Sequence, residues 1–377
     1  MHEGRVGVGL LAMALVAIGC SDDPAPTPVG DRVLVYVVNT GEPTLTVIDH
    51  TTQEVVDTID LGGIAHGQIP AHGGDRLFVT TEDTQEVLAI DTRTQEILWR
   101  VDAAEGGFDQ LHQPSVTLDD RVLFAPDTFQ SRMSVVNVET GSFEGYLPIQ
   151  DTTSSPGEQL DVSSLHNSYL SGDGQYFYIA GILGERIAKV NVDTREIERM
   201  YTLDGDPRPF ALLSDQSRAY VQFTDLEGFI ELDLETGEEL RRIDFGNEPT
   251  QGWTDTVTIL KPRSHGIGLT PDESELWATS TQANEWRVYS VPELELLATI
   301  AIPEGNAPNW IAFTPDGRFA YVSNTTFVLG EGNRPRKDVP GTVTLIDTAT
   351  REVVRTLEVG PLPKRIHAVY VPPVSGS

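Results

Sequence analysis

Val47-Ile48-Asp49-His50-Thr51-Thr52-Gln53-Glu54 and Ala89-Ile90-Asp91-Thr92-Arg93-Thr94-Gln95-Glu96 are two versions of one phrase. Each is an apolar strand ending in an acid, then a polar turn, then the start of a second alternating strand. Further copies are centred on Asn137, Asn191, Asp233, Ser290 and Asp347, so the phrase occurs seven times at intervals of 42 to 57 residues. That interval is the period of a four-stranded propeller blade. Alternation at period two runs through nearly every apolar segment and no stretch keeps a helical period, which predicts an all-β chain.

Each copy has the strands a blade needs. Upstream lie β-branched and aromatic runs at residues 34–39, 77–81, 176–180, 219–223, 276–279 and 319–324. Tight turns precede them, as in Thr314-Pro315-Asp316-Gly317 and Thr270-Pro271-Asp272, where proline presets φ and aspartate caps the turn. After Asp31 the first strand reads as the second of a blade, and residues 366–371 form a strand with no successor. The expectation is a seven-bladed β-propeller of four antiparallel strands per blade, one blade being shared by the two ends of the chain. Such closure pairs both open edges.

Tyr36-Val37-Val38-Asn39 and Tyr321-Val322-Ser323-Asn324 stand on second strands. In these the chain resembles the YVTN family of β-propeller repeat proteins, over essentially all of the residues after 30. The resemblance implies the fold and a surface or periplasmic setting. It does not imply an activity, since propellers host many chemistries.

Residues 1–20 read as a lipoprotein signal peptide, 21–30 as a proline-rich tether and 31–377 as the propeller. Arg5 precedes an apolar run at 6–18 that is too short to span a bilayer as a helix, and the run stops at Ala17-Ile18-Gly19-Cys20. That tetrapeptide resembles the bacterial lipobox, in which the cysteine is acylated. Ser21 then stands where an aspartate would favour inner-membrane retention, so the expectation is an exported, periplasmic or cell-surface protein anchored in the outer membrane. Cys20 is the one cysteine of the chain, so its lipidation leaves the domain no thiol for a disulfide, a metal or a nucleophile. With 26 Lys plus Arg against 57 Asp plus Glu, the net charge of −31 repels nucleic acid and excludes it as a partner.

Histidine carries the functional expectation. Aligned on their turns, the blades place His66, His112, His166, Pro209, His265, Asn309 and His367 at the start of successive inner strands. Five of these seven are histidine, in a chain with eight. Inner strands line the central channel, so five imidazoles are expected to converge near one mouth. Neutral imidazole binds zinc, copper or iron, with nitrogen about 2.0–2.1 Å from a zinc ion. Nitrous oxide reductase and the carotenoid oxygenases are similar in outline, with axial histidine-bound metals, but Pro209 and Asn309 depart from a seven-histidine pattern. Asp109 and Asp161 could fix imidazole tautomers from behind. Trp310 is expected to border the mouth, and Arg263 and Arg365 could hold an anion beside the metal. Long connections at 150–165, 247–264 and 325–341 all fall on the face where inner strands begin.

Three functions follow, in order. The first is a transition-metal site with redox or hydrolytic chemistry at an open coordination position. The second is a scaffold binding a protein or glycan on the long-looped face. The third is a lactonase-like hydrolase, although the sequence offers no distinctive acid/base pair for it. No Gly-x-Ser-x-Gly elbow and no phosphate-binding Gly-Lys-Ser/Thr loop is present.

Overall fold

Aspartate and asparagine end the third strands because their side chains build the turn that follows. Asp91 Oδ1 accepts the backbone N–H of Arg93 at 2.8 Å and of Thr94 at 3.2 Å, and Asp233 does the same for Glu235 and Thr236 at 2.8 Å each. The residue four places beyond the acid closes the turn in the left-handed region, as Gln53 does at φ 54°, Gln95 at 66° and Arg351 at 60°. The repeated phrase is this Asx turn written out.

In the computed structural model the described residues are Met1, 32–103, 110–150, 164–246, 263–303, 307–325 and 338–373. They form seven four-stranded antiparallel sheets and, among them, no α-helix. Six blades are consecutive in sequence. The seventh orders Pro363–Val371, Arg32–Asn39, Thr44–Asp49 and Glu54–Asp60, so both ends of the chain share one sheet. Its register pairs Leu34 with Val369, Tyr36 with His367 and Asn39 with Pro363. The closing strand thus begins at Pro363, three residues before the expected 366.

The period-two alternation has a geometric cause. Successive side chains point to opposite faces of a sheet, and each sheet is packed on both faces by neighbouring blades. Leu34, Tyr36 and Val38 pack with Leu77, Val79, Leu88 and Ile90 of the next blade, whereas Val35 and Val37 pack with Tyr321, Val343 and Leu345 of the preceding one. Seven such cores, one per blade junction, make up the interior. At about 1.5–3 kcal/mol for each large apolar side chain buried, these junctions supply the main drive for closing the ring. Fourth strands such as Glu54–Asp60 face outward and are mostly exposed.

Inner strands are irregular where they begin. The pairing shifts register between Ala65 and Gly67, Leu165 and Ser168, Pro207 and Phe210, and Pro308 and Trp310. A bulge re-aims the side chain it carries, and each of these bulges turns one residue towards the axis. Gly67 and Gly266 permit it. A Cβ on Gly67 would lie 2.5 Å from the carbonyl oxygen of His112 in the next blade, and one on Gly266 would lie 2.3 Å from that of Asn309.

Candidate functional site

Read through the strand registers, the residues at the starts of the inner strands are His66, His112, His166, Arg208, His265, Asn309 and Lys364. All seven line one cavity of about 420 Å³ at the channel mouth. Two places differ from the sequence alignment. Pro207 pairs with Phe223 and Phe210 with Val221, which puts Arg208 in the ring and Pro209 one residue beyond it. Asn39 pairs with Pro363 and Val37 with Ile366, which puts Lys364 in the ring. His367 lies further down the channel wall opposite Tyr36, outside the cavity lining.

Three of the histidines form a compact group. His66, His112 and His166 are buried, and each offers a ring nitrogen within 4.8 Å of the others. Their ring centroids are 3.8 Å apart for His66 and His112, 4.3 Å for His112 and His166, and 5.5 Å for His66 and His166. His265 stands 6.1 Å from His166 and 5.7 Å from the indole of Trp310. Burial pushes all four imidazoles well below the ordinary histidine range, and the charges of Lys364 and Arg365 add to the effect on each of His66, His112 and His265. They are neutral at physiological pH, the form in which nitrogen lone pairs can bind a metal.

The groups behind the triad set its tautomers. His66 Nδ1 donates to Glu82 Oε1, and Lys364 Nζ donates to His66 Nε2 at 3.0 Å. His166 Nδ1 donates to Asn167 Oδ1 at 2.7 Å, which leaves the lone pair of that ring on Nε2. Asn167 Oδ1 also accepts from Arg365 Nη2. His112 Nε2 lies 3.8 Å from Glu82 Oε1, and its buried Nδ1 has no hydrogen-bond partner.

Basic side chains complete the ring. Burial lowers Lys364 to about 8 and Arg208 to about 10. Arg208 Nε donates to Thr224 Oγ1 at 2.8 Å. Arg365 is buried below the mouth, its guanidinium carbon 3.4 Å from the centroid of Trp310, and burial lowers it too, to about 10. Arg263 is only partly buried and does not line the cavity. Asp109, Asp161, Cys20 and Trp253 lie outside the described residues, as does most of each long connection, at 151–163, 247–262 and 326–337. Trp277 is wholly buried in a blade junction.

Glu82, Arg208 and Lys364 were not expected. Glu82 follows the second strand Arg76–Thr81, so no inner-strand alignment contains it. Arg208 and Lys364 could have been found by aligning from the residues after each bulge, Phe210 and Ile366, instead of from the turns.

The family of the outer membrane protein assembly factor BamB matches residues 16–243, more than half of the chain. This protein belongs to the BamB family. The BamB match and the YVTN resemblance agree on a β-propeller built of repeats. Among solved structures, the dihydro-heme d1 dehydrogenase NirN in complex with DHE is 15% identical with a TM-score of 0.60, over 88% of this chain and 74% of that one. The hydrazine synthase of Kuenenia stuttgartiensis is also 15% identical with a TM-score of 0.60, over 79% of this chain and 87% of that one. At such identity these likenesses are of fold. No curated protein matches the sequence.

Proposed function

We propose that this BamB-family protein is an exported, lipid-anchored propeller that holds one transition-metal ion at its channel mouth through His66, His112 and His166. The observation that carries the reading is the approach of three buried neutral imidazoles to within 4.8 Å of one another. Three imidazole nitrogens would leave a tetrahedral ion one further coordination position, and the cavity adjoins all three rings. Glu82 and Asn167, hydrogen-bonded to His66 and His166, hold those rings in orientation and make them better donors. Lipid anchoring is supported by Ala17-Ile18-Gly19-Cys20, and an outer-membrane or surface position by Ser21.

A ligand set of imidazole without thiolate suits zinc, copper or iron. A bound ion with an open position would act as a Lewis acid on an oxygen ligand, and copper or iron would also be able to exchange electrons with it. The protein's own part is to present the nitrogens of the three rings, with Lys364, which donates to His66 Nε2 and would have to yield that nitrogen to an ion, and Arg208 standing beside them.

The test is elemental mass spectrometry on the untagged domain from Asp31 onward, beside a His112→Ala/His166→Ala double variant with unchanged circular dichroism. Close to one equivalent of metal, lost in the variant, is the expected result. Absence of metal from both proteins after reconstitution at neutral pH would overturn the proposal.

A further inference from the structure

The channel mouth is positive inside a strongly negative protein. The chain carries a net charge of −31, yet Arg208 and Arg365 are among its largest fully buried side chains and Lys364 stands with them. A buried cation is costly unless an anion or strong acceptors compensate it. Lys364 makes its hydrogen bond to an imidazole nitrogen, and the carboxylate of the cavity lining, Glu82, acts on it only from beyond ion-pair distance. Arg365 bonds a neutral amide and stacks on an indole. Adding a metal ion beside them raises the local positive charge further.

Part of the remaining cavity wall is apolar, the rest being Glu82, Gln110 and hydroxyl side chains. Phe129, Ile182 and Leu183 line it from the turns that follow the second strands of two neighbouring blades, next to His112 and His166. Phe129 is 57% exposed and Leu183 55%, and together with Ile182 they give the cavity a contiguous apolar side open to a ligand. A volume of about 420 Å³ falls in the range of small-molecule sites.

We infer that the mouth binds a small organic carboxylate, its anionic head between Lys364 and Arg208 at the open metal position and its apolar body against Phe129, Ile182 and Leu183. This inference rests on the proposed metal site for the place of the head group, but the basic and apolar walls belong to the protein alone. An ammonium and a guanidinium on either side of the triad recognise a carboxylate by charge-assisted hydrogen bonds. The apolar wall selects a carboxylate with a hydrocarbon body over acetate, by about threefold to fourfold in affinity for each methylene buried.

The experiment is calorimetric titration of the domain with hexanoate, hexanamide and acetate, in metal-loaded and metal-free forms, with metal content read in parallel. Hexanoate is expected to bind at least about tenfold tighter than either analogue. Lys364→Met is expected to remove that preference for the acid over the amide, read in the metal-free form. Leu183→Ser, at an exposed position with little consequence for folding, is expected to shrink the preference over acetate. Equal binding of hexanoate and hexanamide, or no hexanoate binding in either form, overturns the inference. Should the protein take up no metal, the metal-free titration alone decides it, so the two readings fail separately.

Discussion

His166 Nδ1 lies 2.7 Å from Asn167 Oδ1, so two adjacent residues in an inner-strand bulge settle which nitrogen of the ring faces the channel. The same oxygen takes a hydrogen bond from Arg365 of the closing blade. One amide thereby ties a proposed ligand to the strand that shuts the ring. Asn167→Ala is expected to lower metal affinity by about 10- to 100-fold, and Asn167→Asp, which keeps the acceptor, to restore most of it. Competition with a chelating dye measures both. Equal affinity for all three proteins would count against the tautomer assignment.

Glu82 serves His66 in the same manner. Glu82→Ala is expected to weaken metal binding by at least about tenfold, whereas Glu82→Gln retains an acceptor and falls between. If Glu82 acted only in folding, the order would appear in urea midpoints and not in metal affinity.

The bulges can be tested through a single methyl group. A Cβ on Gly67 would meet the His112 carbonyl oxygen at 2.5 Å, so Gly67→Ala is expected to cost about 1–3 kcal/mol and to displace His112. Gly73→Ala, whose nearest contact would be 3.4 Å away, is the control and should change stability by less than about 0.5 kcal/mol. Urea unfolding of the pair decides it.

His367 supplies a pH dependence. Burial, with help from Arg365, pushes its imidazole from 6.5 down to about 3. The unfolded chain therefore takes up a proton near pH 6.5 that the folded chain refuses, and stability present above that pH is lost as pH falls towards 3. His367→Leu is expected to reduce the drop in urea midpoint between about pH 7.5 and about pH 5. An unchanged drop would mean that His367 protonates freely in the folded state.

How far the sequence could be read depended on how local the cause was. The Asx turns were legible because Asp49, Asp91, Asp233 and Asp347 each fix their turn within four residues. Ring closure was legible because Arg32–Asn39 lacks an inner partner in its own segment. The ring register was less so. In Pro207-Arg208-Pro209 two prolines obscure the alternation, and a count from the turns lands on Pro209. In the closing blade a register shift between Val37 and Asn39 moves the strand start to Pro363 and brings Lys364, not His367, to the mouth. Glu82 was out of reach of any alignment, since it meets His66 only through the pairing of the strands Ala65–Pro70 and Arg76–Thr81. Four histidines in the ring were nonetheless readable, because His66, His112, His166 and His265 each stand one to three residues before their strand's regular pairing.

The account's central claim is that His66, His112 and His166 act together on one ion. Metal content of the purified domain, measured by elemental mass spectrometry for the parent and for each single alanine variant of the three, tests it most directly. The account predicts close to one equivalent in the parent and a large loss in every variant, with His265→Ala retaining most of the metal. Full occupancy in the three variants, or none in the parent after reconstitution, would contradict it.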